Sequence, residues 1–224
     1  MPNEYTYTLL NHFQPKNRLV RGRTYLRAKR ITDLVVVIAT LPLWLPLSAL
    51  IYLIIRASAP DAFVIFVQKR TGKNGKRFLI YKFRTMVPNA EELKSKLAAV
   101  NGSGDLAGPL KLANDPRITR IGRFLRKTSL DELPQLVNIL RGEMSLVGPR
   151  PTSWSPESYK LWQTERLDVL PGLTGLWQIY GRGGQDFDEW LRWDIRYLEN
   201  QCLSLDFIIM IKTFTAVFKQ RGAM

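Results

Sequence analysis

Leu34 to Ile55 is a run of 22 residues without a single charge. As one helix it would measure roughly 33 Å, close to the thickness of a bilayer's hydrocarbon core. It starts too late and runs too long for a cleaved signal peptide. The bland alternative is a buried core helix. Between spanning a bilayer and dipping into it, two features favour dipping. Pro42 and Pro46 lie in the middle of the run. Each lacks an N–H, so the carbonyls of Ile38 and Pro42 lose their helical partners, and a bend is expected there. Thr40 and Ser48 are nearby side chains able to satisfy freed backbone groups. The flanks encode no orientation. Lys16, Arg18, Arg21, Arg23, Arg27, Lys29 and Arg30 precede the run; Arg56, Lys69, Arg70, Lys73, Lys76 and Arg77 follow it. The positive-inside tendency asks both ends to stay on one side. A re-entrant helix–break–helix satisfies that demand, and a straight span does not.

The chain carries 33 Lys and Arg against 19 Asp and Glu, a net charge of +14. Such a balance seeks a polyanion: nucleic acid, an anionic membrane surface or phosphorylated substrates. The apolar run argues against nucleic acid. Cys202 is the one cysteine and His12 the one histidine. An intrachain disulfide, a Cys-based zinc site and a histidine-based triad are thereby excluded. Chemistry must rest on carboxylates, Arg and Lys, hydroxyls and a hard cation.

The expected organisation is a basic arm at 1–29, a re-entrant membrane helix at 30–58 and a catalytic domain at 59–224. The class is α+β, mostly helical. A β-hairpin is expected at 63–83, with Asn74-Gly75 as a type I′ turn. Glu91 to Val100 reads as a short helix and 101–109 as a Gly-containing loop. Asn114-Asp115-Pro116 reads as the cap of a basic helix carrying Arg117, Arg120, Arg123, Arg126 and Lys127. That helix is open to three readings: a solvated face, a membrane or phosphate-binding face, or a nucleic-acid reader. Ser129 to Glu132 fits a capping box opening the next helix, whose apolar stripe is Leu133, Leu136, Val137 and Leu140 and which Gly142 stops. Asp186 to Glu199 reads as an amphipathic helix. Leu203 to Phe218, interrupted by Asp206 and Lys212, reads as interfacial or packed.

Asp131-Glu132 is the sharpest candidate for chemistry. Acids in a first helical turn are favoured by the helix dipole and by the capping box, so a purely structural reading stands beside the functional one. The functional reading rests on the surroundings. Carboxylates between Arg-bearing segments suit a phosphate and metal site. The dipole and the nearby cations are expected to lower the pKa of Asp131. Gly148-Pro149-Arg150-Pro151 restricts the backbone and pre-positions a guanidinium. Lys82 and Arg84 share one face of the second hairpin strand. Pro171 to Arg182 is a Gly-rich segment without local meaning of its own. Neither a Walker A motif nor a GxGxxG fingerprint is present.

Three stretches, FVQKRTGKNGKRFLIYKFRTM, DPRITRIGRFLRKTSLDELPQLVNILRGEMSLVGPRP and PGLTGLWQIYGR, together resemble the bacterial sugar transferase family, the monotopic phosphoglycosyl transferases. The likeness covers roughly residues 29–221 and leans to the small members that initiate exopolysaccharide synthesis. Where the family often has Ser-Pro at its helix break, this chain has Leu45-Pro46 with Pro42 before it. The resemblance implies transfer of a sugar-1-phosphate from a UDP-sugar to polyprenyl (undecaprenyl) phosphate with release of UMP. It implies Asp131 as nucleophile carrying a covalent phosphosugar and Glu132, with Asp131, at a Mg²⁺ ion. It further implies Arg126 and Arg150 at phosphates, Lys82 in a shared basic motif, and a place at the cytosolic face of a bacterial inner membrane. Membrane lipids are then partners, nucleic acid is not, and both monomer and homo-oligomer are open. The competing reading is a non-catalytic basic scaffold on a membrane surface.

Overall fold

The computed structural model describes residues 22–93, 115–180 and 187–218. The expected loop at 101–109, most of the basic arm and most of the helix expected from Glu91 lie outside these residues; residues 90–93 are helical.

Helix α1 (Gly22–Ala39) and helix α2 (Leu41–Ser58) divide the apolar run. The last residues of the basic segment, 22–29, are therefore the first turns of α1. The break falls at Thr40, just ahead of Pro42, and side chains at the break bond carbonyls of the last turn of α1, those of Val36 and Val37 rather than of Ile38. Thr40 Oγ1 donates to Val36 O at 2.7 Å and Trp44 Nε1 to Val37 O at 3.0 Å. Pro46 does not break the chain again; it lies inside α2. Ser48 takes no part, because its hydroxyl is buried with no hydrogen-bond partner among the described residues.

Both outer ends of this broken helix are fastened to one body. Tyr25, Lys29, Asp33 and Val37 recur every fourth residue, which places them on one helical face. Tyr25 OH and Lys29 Nζ bond Asp206 Oδ2 at 3.0 and 2.9 Å. Asp33 Oδ1 accepts the Leu146 N–H at 3.1 Å. Arg30 donates to the carbonyls of Ile139 and Leu140, at the C-terminal end of a helix. At the far end, Ile51 and Ile55 pack with Val64, Phe83 and Leu125. They are the two buried residues of α2. Leu43, Leu45, Leu50 and Leu53 of this helix are exposed. Leu41–Ser58 is long and apolar enough to cross a membrane, with a mean hydropathy of 1.6.

Strands β1 (Ile65–Thr71) and β2 (Arg77–Phe83) form the expected antiparallel hairpin. Asn74 and Gly75 both have positive φ, 54° and 73°, and the Lys76 N–H bonds Lys73 O, as a type I′ turn requires. The register pairs Phe66 with Lys82, Gln68 with Ile80 and Arg70 with Phe78, so these six side chains share one face.

Helix α3 (Arg120–Thr128) begins later than Asn114-Asp115-Pro116 suggests. Its cap is Thr119, whose Oγ1 accepts the Gly122 N–H at 2.9 Å. Asp115 is instead held by Arg117, Nε to Oδ1 at 2.9 Å and Nη2 to Oδ2 at 2.7 Å. A guanidinium two residues away offers the Asp side chain a paired, charge-assisted partner in place of a helix terminus. Helix α4 (Gln135–Leu140) follows, and Gly142, at φ 77°, ends it. Its most buried apolar residues are Leu136 and Ile139, because the helix proper starts only after Pro134.

The remaining elements are β3 (Ser145–Val147), β4 (Gly172–Thr174), α5 (Leu176–Tyr180), α6 (Phe187–Asn200) and α7 (Leu203–Phe218). Strands β3 and β4 pair in parallel. Helix α7 is packed on one side through Leu205 and Ile209, while Phe207, Ile211 and Phe214 are exposed on the other. The main core joins Val37, Ile80, Ile139, Met144, Leu176 and Trp193, so α1, the hairpin and the C-terminal helices close on one another.

Candidate active site

Asp131 and Glu132 sit on a single 3₁₀ turn, Leu130–Glu132, wedged between α3 and α4. The expected capping box does not form. Ser129 adopts the left-handed conformation, φ 57° and ψ 16°, and its side chain makes no cap bond. In that conformation the chain turns sharply out of α3, and Glu132 points to the hairpin. Its Oε1 lies 2.6 Å from Lys82 Nζ and 3.5 Å from Arg150 Nη2. Fifty residues of chain separate Lys82 from Glu132, so only the tertiary fold reveals the pair.

The electrostatics divide the two carboxylates. Burial alone would raise Glu132, but the charges of Lys82 and Arg150 and the Lys82 hydrogen bond more than offset it, and its pKa falls to about 2. Asp131 goes the other way: burial first, then the neighbouring Glu132 charge, push it up to about 6 against the pull of Lys82 and Arg126. The expectation of a lowered Asp131 pKa is thus corrected. Desolvation and a like charge outweigh the cations. Lys82 is lowered by its own burial, opposed by Glu132. Arg126 is lowered by burial too, and Asp131 is the largest opposing charge.

Arg126 and Arg150 are each held by a second contact. Arg126 Nε donates to Thr85 Oγ1 at 2.9 Å. That link depends on Gly122, where an added Cβ would lie 2.0 Å from Thr85 O. Arg150 lies over the Trp177 ring, 5.1 Å from its centroid. Trp177 in turn lies against Trp190, with centroids 5.4 Å apart. The backbone of Arg150 is clamped by a buried pair. Arg166 Nη2 donates to the Arg150 carbonyl and to Asp194 Oδ2, and Asp194 accepts the Arg150 N–H.

The Gly-rich segment from Pro171 acquires a purpose here. Ser145 N–H bonds Pro171 O, Gly148 N–H bonds Thr174 O and Gly172 N–H bonds Pro149 O, at 2.8, 2.9 and 2.8 Å. A Cβ on Gly172 would lie 2.1 Å from Gly148 N, so glycines permit the two backbones to meet. This segment fixes the loop carrying Arg150, and its Trp177 supports the guanidinium.

Sequence reasoning names Lys82, Arg126, Asp131, Glu132 and Arg150. Lys82, Glu132 and Arg150 are brought into direct contact, and Asp131 and Arg126 act on one another through space. It misses Arg70, Thr85, Trp177, Arg166 and Asp194. Arg70 Nη1 donates to Pro151 O at 3.2 Å, and burial and the Arg150 charge lower its pKa to about 10. Strand alternation was the available signal, because Arg70 shares the hairpin face of Lys82.

No cluster of three or more His, Cys, Asp or Glu side chains suited to a metal occurs among the described residues. Two adjacent carboxylates nonetheless suit Mg²⁺, which takes one or two protein carboxylates and completes its shell with water and substrate phosphates.

Residues 24–220 match the family described as bacterial sugar transferase. The chain is 43% identical over 198 residues to the undecaprenyl-phosphate galactose phosphotransferase of Salmonella typhimurium, covering 87% of this chain and 41% of that protein. It is 47% identical over 161 residues to the galactosyl transferase CpsE of Streptococcus agalactiae, covering 71% and 35%. It is 40% identical over 201 residues to the exopolysaccharide production protein ExoY of Rhizobium meliloti, covering 88% of each. The chain thus spans about two fifths and one third of the first two relatives' length and most of the third's. A match that runs through α1, the hairpin, the Asp131-Glu132 turn and α7 leaves one conclusion: the chain belongs to the bacterial sugar transferase family.

Proposed function

We propose that this chain transfers a sugar-1-phosphate from a UDP-sugar to polyprenyl phosphate and releases UMP. The observation that carries the reading is the Asp131-Glu132 turn, flanked by Lys82, Arg126 and Arg150, on a body to which both ends of an apolar broken helix are tied. The names of the relatives support it: one is an undecaprenyl-phosphate galactose phosphotransferase and another a UDP-galactose-lipid carrier transferase.

In the proposed mechanism Asp131 is the nucleophile. With a pKa near 6 it is ionised at neutral pH yet more basic than an ordinary aspartate, which favours attack on phosphorus. Glu132 stays charged and is fixed by Lys82 and Arg150. The guanidinium of Arg150 and the ammonium of Lys82 stabilise charge that develops on the phosphoryl oxygens. Asp131 and Glu132 would hold Mg²⁺, which supplies Lewis-acid polarisation of phosphoryl oxygens. One carboxylate serves both displacements, so the soluble donor and the lipid acceptor use the same site in turn.

The broken helix α1–α2 acts as a re-entrant anchor in one leaflet, on the cytosolic face of the inner membrane. The exposed leucines of α2 enter the acyl region, while the basic residues of α1 stay at the headgroups. Arg120, Arg123 and Lys127, exposed on α3 beside Phe124, suit the same interface. The test is a panel of UDP-sugars, beginning with UDP-galactose, incubated with undecaprenyl phosphate and Mg²⁺. The reading expects UMP and a lipid-linked phosphosugar with at least one donor, and loss of both with EDTA. A protein that binds vesicles and turns over no donor is the scaffold instead.

A further inference from the structure

Arg70 lies at the end of β1, on the hairpin face it shares with Lys82. Two of its nitrogens are committed, Nη1 to Pro151 O at 3.2 Å and Nη2 to Gln68 Oε1 at 2.6 Å. The third, Nε, is buried with no hydrogen-bond partner among the described residues. A buried N–H without an acceptor is costly, so such a donor in a site points to a ligand acceptor. Through Pro151 this guanidinium is tethered to the loop that carries Arg150.

The surrounding charge has a direction. The strongest charges on Asp131 are Glu132, Lys82 and Arg126, and those on Arg70 are Arg150 and Glu132. Arg126 therefore lies on the nucleophile's side of the site and Arg70 and Arg150 on the Glu132 side, with Lys82, bonded to Glu132, between them. Four cations face two carboxylates, so the site carries a net positive charge that suits a diphosphate diester.

We propose that Arg70 is a donor-binding residue whose Nε–H, together with the Arg150 guanidinium, holds the nucleotide-side (α) phosphoryl group of a UDP-sugar and stabilises the departing UMP. This assignment rests on the phosphoglycosyl transferase reading above. In the step it assists, a carboxylate oxygen of Asp131 bonds to the β-phosphorus. The bond from that phosphorus to the bridging oxygen breaks. The electron pair leaves on the bridging oxygen, which departs with UMP, and no proton is transferred. The charge so developed falls on the oxygen nearest Arg70 and Arg150. The second displacement, by the lipid phosphate on the Asp131 adduct, has no UMP to stabilise.

The two half-reactions separate this role from a structural one. Full-length Arg70→Gln and Arg70→Lys proteins are compared with wild type in three measurements: UMP affinity by calorimetry, the burst of UMP from a UDP-sugar alone, and transfer from the isolated adduct to undecaprenyl phosphate. Arg70→Gln is expected to weaken UMP binding and slow the burst by about 10-fold or more, while the second transfer changes by less than about 3-fold. Arg70→Lys, which keeps the charge but loses the fork, is expected to fall between and carries the test if Arg70→Gln does not fold. Unchanged UMP affinity and burst, or equal loss in both half-reactions, would overturn the proposal; equal loss would leave Arg70 as a prop for the Pro151 loop. A wild-type protein with no burst from any UDP-sugar would instead remove the underlying reading.

Discussion

Glu132 Oε1 lies 2.6 Å from Lys82 Nζ, and both side chains are largely withdrawn from water. The bond joins the hairpin to the turn carrying the nucleophile candidate. Removing one member leaves the other charged and desolvated, whereas removing both leaves none. Lys82→Met and Glu132→Leu are each expected to destabilise by about 3 kcal/mol, and the double variant by less than either. Urea unfolding of the four proteins in detergent measures the cycle.

Asp131 has a pKa raised from 3.8 to about 6. The folded state therefore holds this proton more tightly than the unfolded state. The associated stability is present below about pH 4 and is lost as pH rises through about 6. Asp131→Asn is expected to raise the unfolding midpoint above pH 7 and to leave it nearly unchanged below about pH 4. In metal-free protein, carboxyl ¹³C NMR should find Asp131 titrating near 6, and lower in Glu132→Gln, where the repelling charge is gone.

Trp177 supports Arg150 from below, at 5.1 Å. Trp177→Leu removes a cation–π contact of roughly 0.5–2 kcal/mol and frees the guanidinium. A loss of about 3- to 30-fold in kcat/KM is expected; steady-state kinetics with a saturating lipid acceptor checks it.

Gly122 allows α3 to meet the backbone of Thr85, where a methyl group would lie 2.0 Å from a carbonyl oxygen. Gly122→Ala must push the helix off the strand end, and a cost of about 1–3 kcal/mol or more is expected. Arg126 then loses Thr85, so activity should fall further than that of Arg123→Ala, whose side chain is exposed.

Cysteines at position 23, in the first turn of α1, and position 61, just beyond α2, bracket the apolar run, and both positions are exposed. In oriented membranes a re-entrant anchor leaves both reactive from the same side. Labelling from opposite sides would establish a span.

Local rules recovered the parts of this molecule whose causes are local. Asn74-Gly75 and alternation specify the hairpin, Pro42 marks the helix break within two residues, and Gly142 ends α4. Most of the failures trace to packing and to contacts distant in sequence. Ser129 and Asp115 carry good capping chemistry, but other contacts prevail: a left-handed turn at Ser129 aims Glu132 at the distant Lys82, and Arg117, two residues on, captures Asp115. The Asp131 pKa was legible in sign only with its burial known, because desolvation is a property of packing. Arg70, Arg166 and Asp194 act through contacts 16 to 81 residues away, which no window on the chain reveals.

The central claim is a phosphosugar carried on Asp131. Acid-quenched protein incubated with Mg²⁺ and a UDP-sugar accepted in turnover, without lipid acceptor, should yield on mass spectrometry one peptide bearing a sugar phosphate at Asp131, absent in Asp131→Asn. Lipid-linked product formed at wild-type rates by Asp131→Asn, or a quenched protein with no adduct while UMP is released, would contradict it.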